Sequence, residues 1–408
     1  MFMSYEWLRR ASESIHHSAL TNSKRPECFV KNVYPTHVVR GEESYLFDTE
    51  NRKYIDYICA LGTNLIGYAN PFITEVVYRQ LVKGAIYSLS STIEVEAAEK
   101  LKEIFPFISK VRFLKTGSDA SAAAIRIARS HHGVEYGSDN RSLILSDGYH
   151  GHDSSFVSLT KPRIGVPPDP NMLPLKDNFD KIKDAAAVII EPIITDMSPQ
   201  RIEELKQLQA ECKKHGTLLI FDEIITGFRF PKFSFSNFIG MQPDILLLGK
   251  CIAGGLPLSV VATKKDIGDN KEWFISSTFA GDTLALVAML KTIDLLTNKY
   301  FINDLWEAGK YFQTEFNSIA PEVIKIEGYP SRGVFVAEPL NKALFFQESC
   351  KAGILFGPSF FYNFGHIPLN HMVLNSCKDI ILRIKLKQVT LEGEMPKVPF
   401  AQALREKK

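Results

Sequence analysis

The sequence predicts an α/β protein with a largely parallel sheet between helices, because short apolar runs and longer helical patterns alternate through its middle. The apolar runs lie at residues 110–115, 141–146, 185–192, 216–223, 244–249 and 258–263. Helical patterns such as SDASAAAIRIARSHH and QRIEELKQLQAECKKHG separate them. The chain has 408 residues, of which 45% are hydrophobic and 23% charged, so it can bury a sizeable core. We place a large domain at residues 60–295.

A smaller α+β unit is expected around this domain. Residues 35–60 alternate apolar and polar side chains about a turn, which predicts antiparallel strands. After the helical pattern of residues 283–299 come a further helix, the segments EVIKIEG and RGVFVAEP, and the periodic stretch CKDIILRIKLKQV. We therefore predict N-terminal strands within residues 1–59 that join the small domain, a small C-terminal α+β domain at 296–391, and a tail at 392–408.

Charge and cysteine usage exclude several classes of protein. The formal net charge is +2, so no global field attracts nucleic acid or an anionic membrane. The six cysteines are scattered without a CxxC pair, which is typical of buried thiols in a reducing compartment. No apolar segment follows Arg9 and Arg10 as in a secretory signal, and the most apolar long stretch is interrupted by lysine, glycine and proline. We expect a soluble, cytoplasmic protein.

Polar residues at the ends of the apolar runs are the first candidates for a site, because ligands of open α/β sheets bind at the carboxyl ends of strands. Gly117 and Ser118 follow one run and begin a helix, where free N–H groups suit a phosphate. A plain capping turn explains them as well. Asp222 and Lys250 end two later runs, and taken alone they could form a simple ion pair.

Several ordered motifs carry a resemblance to a known family. They are Tyr54-Ile55-Asp56-Tyr57, Gly117-Ser118-Asp119-Ala120, Gly148-Tyr149-His150-Gly151-His152, Glu191-Pro192, the segment from Asp222 to Arg229, Gly249-Lys250 and Thr278-Phe279-Ala280-Gly281. From about Tyr45 to the last helix, the chain resembles the class III aminotransferases of fold type I. Within that family it looks most like glutamate-1-semialdehyde 2,1-aminomutase. The resemblance implies bound pyridoxal 5'-phosphate and a homodimer with its active site at the interface.

The resemblance also implies a role for each residue on the cofactor side. Lys250 would form the Schiff base with the cofactor and then move the substrate proton. Asp222 would pair with the pyridine nitrogen, and Ile224 and Tyr149 would cover the two faces of the ring. Gly117 and Ser118 would hold the phosphate, with Thr278 reaching it from the other subunit. The implied catalytic residues are Lys250, Asp222 and Tyr149.

Two further motif residues are expected near the cofactor, namely His150 and Glu191. An ordinary solvated cap after a strand explains Glu191 nearly as well, and an ordinary half-buried aromatic is the alternative for Tyr149. His150 and His152 form an HxH pair, but no third ligand stands at a supportive spacing. We therefore expect no metal.

The substrate side departs from the aminomutase. Tyr362 stands where the aminomutase has an acidic residue. Near Ala60-Leu61-Gly62 the aminomutase has a serine and a tryptophan, and the segment between Val336 and Ile354 is shorter than expected. Neither Arg332 nor Arg383 falls in a motif that would assign substrate binding to it. The leading hypothesis is transfer from an amino donor, with glutamate expected, to a small carbonyl or sugar-pathway compound by a ping-pong mechanism. The alternatives are the aminomutase itself and a non-enzymatic phosphate-binding protein; the sequence identifies neither donor nor acceptor.

Overall fold

A computed structural model describes residues 2–133, 141–160, 165–267 and 273–397 of the chain. They belong to two compact units. The first unit combines Met1–Asn70 with Asn303–Lys408, and the second unit is Pro71–Ile302. The domain limits given above rest on the sequence alone and remain predictions.

The strands follow the predicted apolar runs closely. They are β1 (Val38–Glu42), β2 (Tyr45–Asp48), β3 (Lys53–Asp56), β4 (Lys110–Leu114), β5 (Ile144–Asp147), β6 (Met172–Pro174), β7 (Ala187–Ile190), β8 (Leu218–Asp222), β9 (Ile245–Leu248), β10 (Ser259–Thr263), β11 (Lys325–Tyr329), β12 (Arg332–Val336), β13 (Ile354–Leu355) and β14 (Ser359–Phe361). Each of the six runs expected in the large sheet overlaps one strand, and these strands are β4, β5, β7, β8, β9 and β10. The strand β6 lies outside the runs.

The helices are α1 (Phe2–Ser14), α2 (Cys59–Gly62), α3 (Pro71–Leu81), α4 (Thr92–Ile104), α5 (Gly117–His131), α6 (Ser154–Val157), α7 (Pro199–His215), α8 (Phe235–Ile239), α9 (Thr283–Asn298), α10 (Ile302–Ile319), α11 (Pro339–Lys351) and α12 (Asn370–Lys385). Local sequence sets several of their ends. Thr116 and Asp119 form a capping box that begins α5. Ser198 caps the start of α7, and Gly216 ends it with φ 67°.

The second unit is built on a seven-stranded sheet with the order β4-β10-β9-β8-β7-β5-β6. Its strands are parallel except β10, which runs antiparallel to both β4 and β9. The prediction of a largely parallel sheet is confirmed. Strands β7, β8 and β9 are buried along their whole length, as expected for a sheet covered on both faces. Because β10 runs antiparallel to both of its neighbours, those neighbours, β4 and β9, point the same way.

The first unit contains two small sheets. One has the order β1-β2-β3-β13, in which β3 and β13 pair in parallel and so join the two ends of the chain. The other has the order β11-β12-β14. An aromatic cluster fills the core, with ring centroids 4.8–6.3 Å apart among Tyr57, Phe312, Phe335, Phe345, Phe356 and Phe360.

The segment labelled α2 is a left-handed turn. Cys59, Ala60 and Leu61 have φ values of 49°, 48° and 59°, which side chains with a Cβ rarely adopt. Buried Asp56 holds this turn by accepting the N–H groups of Ile58 and Cys59 at 2.9 and 3.1 Å. Burial raises the pKa of Asp56 to about 6, although these bonds act in the opposite direction.

All six cysteines are buried, and none of them forms a disulfide. Among the helices of the described residues, none combines the length and apolar character needed to cross a membrane.

Candidate active site

The carboxyl ends of the parallel strands bring most of the predicted residues to one edge of the large sheet. Asp222 is the last residue of β8, Glu191 follows β7, and Lys250 lies two residues after β9. The segment with Tyr149 and His150 follows β5, and Gly117 follows β4 after a short turn. Because β4, β5, β7, β8 and β9 point the same way, these ends share an edge, as the sequence indicated.

Asp222 lies in a buried polar pair with His150. His150 Nδ1 is 2.7 Å from Asp222 Oδ2, and the two side chains are 0% and 3% exposed. The other carboxylate oxygen accepts the N–H of Ile224 at 3.1 Å. Since Asp222 accepts, we assign the imidazole proton to Nδ1. His150 Nε2 is then a buried acceptor, and no protein atom forms a hydrogen bond with it.

The turn before α5 has the geometry of an anion site. Thr116 Oγ1 accepts the N–H of Asp119, which leaves the first amides of a 15-residue helix, those of Gly117 and Ser118, for a ligand. Ser118 Oγ accepts the N–H of His152 at 3.0 Å and joins this turn to the segment after β5. The helix N-terminus and the hydroxyl therefore converge on one place.

Ile224 lies between the turn that carries Gly117 and the turn that carries Lys250. A Cβ atom added at Gly117 would lie 2.8 Å from Ile224 Cδ1, and one added at Gly249 would lie 3.2 Å from Ile224 Cγ2. Both glycines thus allow the Ile224 side chain to approach the backbone closely. Lys250 begins a 3₁₀ turn, is half-buried and has φ 50°, a conformation that costs about 1–3 kcal/mol and is frequent at functional sites.

Glu191 is buried rather than solvated, so the interpretation as a solvated cap is wrong. Its exposed fraction is 6%, and its Oε2 accepts the N–H of Tyr149 at 2.9 Å. Gly148, with φ 125°, allows this approach, because a Cβ there would lie 3.0 Å from the Glu191 side chain. Glu191 therefore fixes the turn that carries Tyr149, and Tyr149 itself is 36% exposed.

Thr278 belongs to a different segment from the residues described above. It is exposed on the segment between β10 and α9, as are its neighbours Ser276, Ser277 and Phe279. His152 is also exposed, and its backbone N–H is bonded to Ser118. Among the residues that the structure describes, no group of three or more His, Cys, Asp or Glu side chains could hold a metal ion.

Two features near the site were missed in the sequence. Glu223 is fully buried and accepts the N–H groups of Phe235 and Ser236 at 2.7 and 2.9 Å, which fixes the loop behind Asp222. Burial raises the pKa of Glu223. Lys115 and Asp282 form an ion pair of 2.6 Å beside the Gly117 turn. The sequence did contain a signal for each of them. Glu223 is a second acidic residue after the apolar run that ends in Asp222, and Lys115 is a lysine beside the Gly117 turn.

Comparison with known proteins identifies the family. A sequence model described as "Aminotransferase class-III" matches residues 29–171 and 171–360. The chain belongs to the class III aminotransferases. It is 30% identical over 378 residues to the glutamate-1-semialdehyde 2,1-aminomutase of Syntrophobacter fumaroxidans, covering 81% of this chain and 85% of that protein.

Solved structures show the same fold at low identity. FumI of Sphingopyxis sp. MTA144, described as a PLP internal aldimine form, has a TM-score of 0.85 and 21% identity over 97% of this chain and 99% of that chain. A glutamate-1-semialdehyde aminomutase from Pseudomonas aeruginosa has a TM-score of 0.78 and 17% identity, over 93% and 94% of the two chains. The fold is therefore the fold type I of pyridoxal phosphate aminotransferases, and the family's cofactor is pyridoxal 5'-phosphate.

The residues at the sheet edge fit this cofactor. The amides of Gly117 and Ser118 suit its phosphate, and the close approach of Ile224 to two glycines forms an apolar surface for one face of its ring. The buried carboxylate of Asp222 suits a protonated pyridine nitrogen. The aminotransferase therefore has amide donors that match the phosphate, an apolar side chain that matches the ring and a carboxylate that matches the ring nitrogen.

Replacing Gly151 by alanine is expected to weaken cofactor binding at least tenfold. A Cβ at Gly151 would lie 2.2 Å from Ser118 Oγ and 2.8 Å from Ser118 Cα, so the phosphate turn must move, and the φ of 99° adds strain of about 1–3 kcal/mol. Gly255→Ala is the control, because Gly255 has φ 101° but nothing within 4 Å of its added Cβ. Titration of the apoenzyme with pyridoxal phosphate measures the difference. Equal affinities for the two variants would contradict the expected clash.

The substrate-side positions belong to the first unit. Tyr362 is fully buried, its hydroxyl donates to the side chain of Asn370, and burial raises the pKa of its phenol. Leu61 and Ala60 line a cavity of about 480 Å³ whose wall also includes Phe29 and Val33. The short segment after Val336 folds largely as α11.

Arg332 and Arg383, the two arginines considered above for substrate binding, both lie among other side chains of the first unit. Arg383 donates to Glu348 at 2.9 Å and lies 3.5 Å from Asp379. Arg332 is 2% exposed, and its guanidinium carbon lies 5.9 Å from the centre of the Phe361 ring.

Proposed function

We propose that this class III aminotransferase transfers an amino group between two separate substrates, from a donor such as glutamate to a small carbonyl or sugar-pathway compound. The observation that carries the proposal is the environment of Tyr362. This residue replaces an acidic residue of the aminomutase, and its hydroxyl is directed at Asn370 within a buried aromatic cluster. It supplies no carboxylate for retaining a diamino intermediate between two transfers.

The cofactor, when bound, supplies an electron sink for the electrons left by a departing substrate proton. Lys250 would anchor it and would then move that proton with its Nζ atom. Asp222 would hold the ring nitrogen through its charge. His150 orients the Asp222 carboxylate by donating from Nδ1 at 2.7 Å, and Ile224 N–H fixes the second oxygen. The rigid pair thus presents a fixed negative charge to the ring.

The remaining cofactor residues bind and orient. Gly117 and Ser118 would bind the phosphate through amides and a hydroxyl. Ile224 and Tyr149 would cover opposite faces of the ring, and buried Glu191 positions Tyr149 by accepting its backbone N–H. These assignments give a role to the segments that follow five strands and meet at one edge of the sheet.

The second candidate is glutamate-1-semialdehyde 2,1-aminomutase, an intramolecular exchange. The names of the similar curated proteins favour it, since relatives of 30% and 31% identity from Syntrophobacter fumaroxidans and Wigglesworthia glossinidia brevipalpis carry this name. The two activities separate by steady-state kinetics. Transfer between two substrates gives parallel double-reciprocal lines when donor and acceptor are both varied. Efficient conversion of glutamate-1-semialdehyde to 5-aminolevulinate without added donor would establish the aminomutase instead.

A homodimer with the site at its interface is part of this proposal. Leu89, Val95 and Phe279 expose 84%, 59% and 58% of their surfaces. Phe279 directly follows Thr278, and Thr283 N–H, at the end of the same segment, donates to Ala85 O at 3.0 Å. An exposed apolar surface of this kind favours burial against a second copy. Thr278 would then reach the phosphate bound by the partner subunit.

Replacing Thr278 by alanine should weaken pyridoxal phosphate binding about tenfold or more, through the loss of a hydrogen bond to a charged group. Thr278→Ser, which keeps the hydroxyl, is the matched control. A mixed dimer of Lys250→Ala and Thr278→Ala subunits should recover one site of normal affinity, made from Lys250 of one chain and Thr278 of the other. If that site binds cofactor no better than the Thr278→Ala homodimer, Thr278 does not act across the interface.

A further inference from the structure

A partly buried ion pair lies beside the phosphate turn and has no role in the function proposed above. Lys115 Nζ is 2.6 Å from Asp282 Oδ2, and the two side chains are 18% and 17% exposed. The residues are 167 positions apart in the chain. A pair this close and this sheltered is less screened than an exposed surface pair.

The two ends of the pair adjoin two different segments, the phosphate turn of the same chain and the Thr278 segment that is proposed to reach the partner subunit's phosphate. Lys115 directly precedes Thr116, the residue that caps α5 and orients the Gly117 and Ser118 amides. Asp282 caps α9 by accepting the N–H of Leu284 at 3.0 Å through Oδ1, so its two oxygens have separate tasks. The pair therefore links the start of α5 to the start of α9.

The segment with Thr278 is anchored at the same place. Asp282 N–H donates to Phe279 O at 3.3 Å, and Ala280 N–H donates to Ser277 O at 3.1 Å. Gly281 lies against Glu94, whose Oε1 would be 2.9 Å from an added Cβ. Residues 276–279 are themselves exposed, so their position depends on the anchored end at residues 280–283.

We propose that Lys115 and Asp282 are a positioning pair, which fixes the Thr278 segment relative to the phosphate turn of its own chain. The pair thereby sets the affinity for the cofactor phosphate that Thr278 reaches in the partner subunit. The inference rests on the proposed role of Gly117, Ser118 and Thr278 as phosphate ligands. Lys115 acts here through Asp282 and not as a phosphate ligand, because Asp282 neutralises its charge at 2.6 Å.

Charge and positioning predict opposite results for Asp282→Asn. Asparagine is as good a helix cap as aspartate, so α9 keeps its cap, while the ion pair is lost. If Lys115 attracts phosphate simply as a cation, removing Asp282's charge frees it and tightens binding. If the pair positions the segment, Asp282→Asn weakens binding as Lys115→Met does.

The experiment compares pyridoxal phosphate with pyridoxal, which lacks the phosphate, in titrations of the dimeric apoenzyme. We expect Lys115→Met, Asp282→Asn and the double variant each to bind pyridoxal phosphate about three- to tenfold more weakly, with no added loss in the double variant. Pyridoxal affinity should not change, and Lys115→Arg should remain close to the wild-type chain. Amide exchange in residues 277–282 of the apoenzyme should rise in the three weakened variants.

Tighter binding by Asp282→Asn, unchanged binding by both single variants, or an equal loss for pyridoxal and pyridoxal phosphate would overturn the positioning role. Thr278→Ala in the same assay tests the underlying proposal separately. Suppose that Thr278→Ala loses affinity only for pyridoxal phosphate while Lys115→Met and Asp282→Asn bind it normally. That result would contradict the positioning role of the pair and leave the proposed Thr278 contact intact. Normal binding by Thr278→Ala contradicts the proposed phosphate contact itself.

Discussion

Lys250→Ala is expected to abolish turnover and the Schiff-base absorbance band of the bound cofactor while the protein stays folded. The amine is both the covalent anchor and the proton carrier, and proton transfer alone contributes about 10²- to 10⁴-fold to rate. The fold should persist because Lys250 is half-buried at the start of a short turn, in a strained conformation with φ 50°. Cofactor should still bind, more weakly, through its phosphate.

Borohydride reduction of the wild-type holoenzyme followed by peptide mapping should place the pyridoxyl label on Lys250. Lys264→Ala is the matched control, because Lys264 donates to Gln242 O and Asp244 and not to the site. That variant should keep both the label and turnover. A label on another lysine, or full turnover by Lys250→Ala, would contradict the assignment.

Asp222→Asn should lower the single-turnover rate about 10²- to 10³-fold, the range expected when one fixed electrostatic partner of the transition state is removed. Asparagine can still accept the N–H of Ile224, so the local backbone should keep its conformation. What is lost is the negative charge opposite the ring nitrogen.

His150→Asn separates charge from orientation in the same pair. It retains the Asp222 carboxylate and removes the imidazole that donates to it at 2.7 Å. We expect an intermediate loss, smaller than that of Asp222→Asn, with affinity for the cofactor phosphate kept in both variants. Single-turnover rates with a saturating amino donor measure the two losses. A rate within threefold of the wild-type chain for Asp222→Asn would contradict the role of its charge.

The strands of the large sheet were predictable because their signal is local. Runs such as GTLLIFDE are apolar and lie between turn signals, as buried parallel strands require. The short strand β6 ends in Pro174 and has no such run. Helix α11 also escaped prediction, because residues 343–350 are all buried and leave no alternation of polar and apolar faces.

The candidate site likewise contains residues with a local sequence signal and residues placed only by packing. Asp222 and Lys250 were predictable because they follow apolar runs and the carboxyl ends of parallel strands meet at one edge. The His150 partner of Asp222 is 72 residues away, and its contact depends on how β5 and β8 are placed around β7. The burial of Glu191 and the direction of the Tyr362 hydroxyl likewise depend on packing, which no local pattern records.

The half-reaction with an amino donor alone tests intermolecular transfer most directly. Holoenzyme is mixed with glutamate, or with another amine from a donor panel, in the absence of any carbonyl acceptor, and the spectrum and released keto product are measured together. We expect conversion of the cofactor to its amine form with one keto product released per subunit, followed by return of the original spectrum when an acceptor is added. No release with any donor, together with donor-free isomerisation of glutamate-1-semialdehyde, would contradict it.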